Sequence, residues 1–242
     1  MFIHYRTQGI ILQKIDRGES DRLFTLYTKD FGKLDLLAKS ERKIKSKLRS
    51  GLELFYLTEI EFIQGKAQKT ATDAILINKF EVLRNDLRRL KVAYQISAVA
   101  CKLLRGQESD KEIWKLLNEV FEKLNSSSLK DLKIDLMYHY FLWNFLSLLG
   151  YQLDFYNCFV CQRKVNPSNL SLVVRDGGLV CEQCKKKVKK SESIDSNLIK
   201  ILRILTKKDF ITLNKLKLDE SILKNLKSIS RKYLLGVLEK TQ

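Results

Sequence analysis

The chain has 242 residues, 45% of them hydrophobic and 30% charged, which excludes an intrinsically disordered protein and allows one large or two small domains with their own cores. Its 45 Lys and Arg against 28 Asp and Glu leave a net charge of +17, which points to a polyanion: nucleic acid, an anionic membrane surface or an acidic partner. No basic segment followed by a long apolar one opens the chain, and the most apolar stretch, residues 136–150, is too short for a bilayer, so a cytoplasmic protein with no membrane association is expected.

Residues 1–79 read as β structure. Short segments rich in Ile, Leu, Tyr, Phe and Thr lie at 9–15, 22–28, 33–39, 54–63 and 74–80, divided by turn signals at 17–20, 29–32 and 64–66. Five strands at this spacing, without helices between them, predict a small barrel rather than a parallel sheet. Residues 40–51 have almost no apolar content and predict a loop or a short exposed helix. From residue 80 the apolar period becomes helical. Val92, Ile96, Val99, Ala100, Leu103 and Leu104 share one face, and Gly106 ends that helix. Ser109 opens a second, bearing Ile113, Leu116, Leu117, Val120 and Leu124. A serine triplet at 126–128 precedes a third, strongly apolar helix over 129–149. Cys101 and His139, each on an apolar helical face, read as core residues. The pattern resumes at Leu198, Ile201, Leu202 and Leu205, and Leu223, Leu226, Ile229, Leu234, Val237 and Leu238 close the chain.

The interruption after the third helix holds the sharpest motif. Cys158-Phe-Val-Cys161 is followed, after 19 intervening residues, by Cys181-Glu-Gln-Cys184. Two thiolates at i and i+3 in a tight turn face one cation, and two such turns complete a tetrahedron, the pattern of one structural zinc ion (Zn2+) held by four cysteines. Residues 170–174 and the turn Asp176-Gly177-Gly178 predict a hairpin between the two knuckles, within an insert spanning 155–190. A redox dithiol pair is the alternative.

The charge is unevenly spread. Residues 1–79 carry a net +5, and the segment holding Lys39, Arg42, Lys43, Lys45, Lys47 and Arg49 against Glu41 alone accounts for all of it. A flexible basic loop on a small barrel has the parts to follow a phosphate backbone, with a solvated loop lacking any partner as the plain alternative. Lys185, Lys186, Lys187, Lys189 and Lys190 form a second run, either a phosphate contact or a soluble connector. Phosphate-binding loops, nucleophile elbows and HExxH motifs are missing, and Glu59 and Glu61 on one strand face do not make a nuclease, so a binding protein rather than an enzyme is expected.

This order of features resembles the bacterial RecO recombination mediators. The resemblance lies in GIIL at 9–12, GESDRLFTLYT at 18–28, FGK at 31–33, the basic segment leading to an aromatic-rich strand, and CxxC…GG…CxxC inside a helical region. Order, spacing and length together carry it over essentially the whole chain. Two positions depart from the family: Ser40 stands where glycine is usual, and Ile44 where a proline falls. The resemblance implies an α+β, multidomain protein. An N-terminal OB-fold β-barrel (1–79) would be followed by an α-helical domain (80–242) with an inserted four-cysteine zinc ribbon. It implies binding of single- and double-stranded DNA, strand annealing, and loading of RecA onto strands coated by single-strand-binding protein. RecR and the acidic C-terminal tail of single-strand-binding protein are the implied partners, with RecA acted on indirectly. Lys39, Arg42, Lys43, Lys45, Lys47 and Arg49 match the family's DNA-contacting segment, and Cys158, Cys161, Cys181 and Cys184 its zinc ligands. The tail's site is not marked by a motif; an apolar pocket rimmed by cations is expected, with Arg84, Arg88, Arg89, Lys102 and Arg105 as candidates. Two other classes remain open: an RNA-binding zinc-ribbon and OB protein of translation or transcription, and a nuclease or nucleotidyl transferase with unrecognised acidic residues.

Overall fold

A computed structural model describes residues 3–66, 68–173, 177–188, 191–207, 210–216 and 219–241. The first five strands are β1 (His4–Arg17), β2 (Asp21–Thr28), β3 (Gly32–Ala38), β4 (Leu57–Gln64) and β5 (Lys69–Asn78). They close into a barrel of order β1-β2-β3-β5-β4, the OB-type topology, with α and β structure combined in one chain. Closure depends on β1. Its first half pairs with β4 and its second half with β2, with a register shift between Ile11 and Gln13 where it turns the corner. A short parallel pairing of Leu36 and Leu37 with Lys69 and Thr70 seals the other seam. Along β4, Thr58, Ile60 and Phe62 point inward while Glu59 and Glu61 face out, the period-2 pattern of a half-buried strand. β2 departs from that alternation: Phe24 to Thr28 are all buried, because its outer side is covered as well.

The cover is helical. α1 (Glu81–Arg84), α2 (Leu87–Leu103) and α3 (Lys111–Asn125) form one compact unit with the barrel, residues 1–130. The change from strand to helical period falls at 79/80, whereas compactness divides the chain at Lys130/Asp131. The caps are specific. Asp86 accepts from the N–H groups of Arg88 and Arg89, and Asp110, rather than Ser109, opens α3 by accepting from Glu112 and Ile113. The Asn125 side chain accepts from Val82 and Leu83 at the start of α1. Arg89 is buried and donates to the carbonyls of Leu124, Ser126 and Leu129, so it closes the C-terminal end of α3.

Residues 131–242 form the second unit. Its centre is α4 (Asp131–Leu148), packed by α6 (Ser196–Thr206) and α8 (Glu220–Lys240), with the short α7 (Phe210–Lys215) between them. Trp143 stacks on Tyr233 at 4.4 Å and meets Phe155 edge-on. Polar groups in this core have partners: the Trp143 indole donates to Ser230 Oγ, which also lies 2.9 Å from His139 Nδ1. The insert between α4 and α6 carries β6 (Leu170–Val173), β7 (Gly178–Val180), the turn α5 (Glu182–Lys185) and β8 (Glu192–Ile194), in sheet order β7-β6-β8. β6 and β7 are the expected hairpin; Val174 and Asp176 of that expectation lie outside the described residues. Among the described residues no helix is long and apolar enough to cross a membrane.

Candidate nucleic-acid interface and metal centre

The basic segment leaves β3 through residues whose backbone and side chains are tied to the β1–β2 turn. Ser40 takes φ +54°, the left-handed conformation that glycine adopts freely, and its N–H donates to Asp21 at 2.7 Å. Glu41 is 1% exposed and accepts from Arg22 at 3.1 Å, while Arg22 also binds Asp16 at 2.7 Å. That guanidinium holds the Asp16 carboxyl below its ordinary range. Arg42 donates its N–H to the Ser20 carbonyl and its side chain to that of Gly18. The segment then turns twice, at Lys43 and Ser46, into a single 3₁₀ turn over Lys47–Ser50 anchored by buried Leu48.

The electrostatic consequence is direct. The segment's single carboxylate is turned inward and neutralised by Arg22, whereas Lys39, Arg42, Lys43, Lys45, Lys47 and Arg49 are all exposed. Arg42 lies 3.6 Å from Asp16. The other five have no carboxylate partner among the described residues. Ile44, between two of them, is 90% exposed. In the sequence Glu41 is only a charge subtracted from the basic run. Its partner Arg22 lies 19 residues away on another strand, and no local signal joins them.

The cations expected to rim an apolar pocket are divided by the fold. Arg89 is committed to α3, and Arg84 donates to the Leu54 carbonyl while lying over the Tyr56 ring. Arg88 is half-buried, and Lys102 and Arg105 are exposed. Lys102 and Lys14 join Leu12, Leu54, Tyr94 and Ala98 in lining a groove of about 640 Å³. On the barrel, Glu61 is bound by His4, Arg6 and Thr72, which hold its carboxyl near pKa 2, and Arg6 reaches Glu59 as well. Both carboxylates are thus engaged in ion pairs.

The four cysteines converge. Their sulfur atoms all lie within 4.8 Å of one another, and Cys161 and Cys181 stand 3.9 Å apart, far longer than a disulfide. A tetrahedral ion with bonds of 2.3 Å requires sulfur separations of about 3.8 Å, so the donor set fits a four-coordinate metal ion. Protonation supports the same reading. Burial opposes ionisation of Cys158, but the N–H groups of Cys181, Cys161 and Val160 hold its thiol down at about 6. Burial and hydrogen bonding to the other three thiols push Cys184 up to about 12. Cys158 therefore ionises readily, whereas Cys184 resists ionisation unless a cation is beside it. Gly177, at φ +138°, belongs to this geometry, since a Cβ there would press into the Phe159 ring of the first knuckle. The knuckles are held to α6 by Arg203, which donates to the carbonyls of Phe155 and Val165 and lies over the Tyr156 ring at 4.6 Å. Nothing local in the sequence marks Arg203 for this. Lys185, Lys186 and Lys187 are exposed beside the second knuckle; Lys189 and Lys190 lie outside the described residues.

Two family models cover the chain: Recombination protein O N terminal matches residues 1–80, and Recombination protein O C terminal matches residues 84–242. Among curated proteins, the chain is 30% identical to the DNA repair protein RecO of Dehalococcoides mccartyi over 98% of its own length and 91% of the relative's. It is 28% identical to that of Acetivibrio thermocellus (98% and 93%) and 27% identical to that of a Roseiflexus species (98% and 82%), both named DNA repair protein RecO.

Proposed function

The chain belongs to the Recombination protein O family of DNA repair proteins, and from that premise we propose that it is a DNA-binding recombination mediator that acts in the cytoplasm without catalytic turnover. It binds single- and double-stranded DNA and anneals complementary strands. With RecR it helps load RecA onto strands coated by single-strand-binding protein, whose acidic tail docks on the helical domain. Its four-cysteine centre holds one structural zinc ion; with all four positions filled by protein, the ion supplies rigidity and no open site for chemistry. The observation that carries this reading is the basic loop: six exposed cations, five of them without a carboxylate partner among the described residues, on a barrel loop whose own carboxylate is turned inward. Lys39, Arg42, Lys43, Lys45, Lys47 and Arg49 are its DNA contacts.

The test is annealing of complementary oligodeoxynucleotides, with and without single-strand-binding protein, by the intact chain and by Lys43→Ala/Lys45→Ala. The intact chain accelerates annealing in both conditions and the variant does so less. Each lost phosphate contact lowers the salt slope of binding by ~0.7 for single strands and ~0.9 for duplex, so the double variant loses roughly 1.4 and 1.8. An intact chain that leaves annealing no faster rejects the mediator reading, and preference for RNA of the same sequence favours the RNA-binding one.

A further inference from the structure

The basic loop contains one carboxylate, in a segment that gains nothing from negative charge if its ligand is a polyanion. Glu41 is next to Arg42 and two residues from Lys43, and removing a carboxylate from water costs solvation. It is buried all the same, against Arg22 of β2. That guanidinium joins two segments: Nε donates to Asp16 near the end of β1 at 2.7 Å, and Nη1 donates to Glu41 at 3.1 Å. A buried ion pair adds little to stability over an apolar pair of the same shape. What it fixes is position, since either group alone is left buried without its counter-charge.

Around this pair the root of the loop is bound to the β1–β2 turn. The Ser40 N–H donates to the Asp21 carboxylate at 2.7 Å, and the Arg42 N–H donates to the Ser20 carbonyl at 3.0 Å. The far end is held separately. Leu48 is buried, and Gly51 lies so close to the Ala74 carbonyl of β5 that no Cβ fits between them. Lys43, Lys45 and Lys47 therefore stand on a short bridge between two anchors. The bridge is folded by the Lys43 N–H donating to the Ser40 carbonyl and the Ser46 N–H donating to that of Lys43, at 3.1 and 3.0 Å. A loop ordered before its ligand arrives avoids the entropy loss of ordering on binding.

We propose that Glu41 is a positioning residue for the basic loop: acting through Arg22, it holds Lys43, Lys45 and Lys47 ready for phosphates, so that a carboxylate strengthens binding to a polyanion. The proposal rests on the DNA-binding reading of the loop and adds the group that prepares it. The sign of the effect separates it from bulk electrostatics. Removing Glu41 makes the chain one charge more positive, which by itself tightens DNA binding, whereas loss of a positioning group weakens it. Salt dependence separates it from a direct contact. Once binding has ordered the loop the same phosphates are met, so affinity falls while the slope against salt is kept.

The test uses the full chain, with anisotropy of labelled single-stranded and duplex DNA read at several salt concentrations and hydrogen exchange read on the free protein. Glu41→Ala lowers affinity for both DNAs about tenfold, the cost of ordering roughly one backbone residue on binding, with the slope of the intact chain. Glu41→Gln, which keeps an oxygen for Arg22 without the charge, loses less. In the free protein Glu41→Ala speeds exchange at the N–H groups of Arg42, Lys43 and Ser46, while the barrel strands keep theirs. Thermal unfolding checks the fold; should the alanine variant be destabilised, Glu41→Gln carries both measurements. Tighter binding by either variant, a lowered slope, or unchanged exchange in the loop overturns the positioning role. If Lys43→Ala/Lys45→Ala lowers the slope while Glu41→Ala leaves affinity intact, the loop reading stands and the positioning role falls. If the lysine variant keeps the slope, both fall.

Discussion

Burial makes His139 a stability sensor. The side chain is 5% exposed, with Ser230 on its Nδ1, and loss of solvation lowers its pKa from the ordinary 6.5 to about 4, with Asp135 raising it and Lys227 lowering it further. The native state therefore refuses a proton that the unfolded chain accepts. The stability tied to this is complete above about pH 6.5 and is lost as pH falls toward 4, to a limit of roughly 3 kcal/mol. Urea unfolding of the intact chain and of His139→Gln between pH 7 and 4 measures it: the gap in unfolding free energy between them shifts against the intact chain as pH falls, and a constant gap refutes it. Other residue-scale facts are matters of satisfaction rather than titration. Arg89 is basic in composition and structural in effect, because its guanidinium is spent on the carbonyls of Leu124, Ser126 and Leu129 where α3 ends and the chain turns toward α4.

At the scale of elements, the insert has little core besides its four cysteines. β6, β7 and β8 have four, three and three residues, too few to bury a core of their own, and what they surround is the cysteine cluster with Val173 and Val180. A metal ion bound only by the folded insert stabilises that fold directly. Protein purified without chelator therefore contains one zinc per chain by elemental analysis, and a content near zero refutes the assignment. Chelation, or Cys184→Ser, lowers the thermal midpoint and opens the insert to protease, while the circular dichroism of the remaining helices persists.

For the whole molecule, what matters about +17 is where it sits. Lys115 is paired with Glu112 at 2.7 Å on α3, and Lys111 lies on the same helix, whereas the loop lysines have no such partners among the described residues. Lys111→Ala/Lys115→Ala removes the same net charge as Lys43→Ala/Lys45→Ala. Counterion release follows phosphate contacts rather than total charge, so the helical variant keeps the intact salt slope and the loop variant does not. Equal slopes for the two, below that of the intact chain, would mean that net charge alone drives binding.

Local chemistry was legible in the sequence. Five barrel strands, the long helices and the two cysteine pairs each announce themselves within a few residues, because strand and helix periods and CxxC turns are short-range properties. Their ends were less so. β1 begins at His4, before its apolar core, since it gains a second partner in β4, and the four-residue α1 is too short to show a period. The closed strand order, the inward turn of Glu41 onto Arg22, and the engagement of Arg84, Arg89 and Arg203 were decided only by the tertiary structure. Charge and hydrogen-bond partners in a fold are chosen by distance in space, and a single sequence records only distance along the chain.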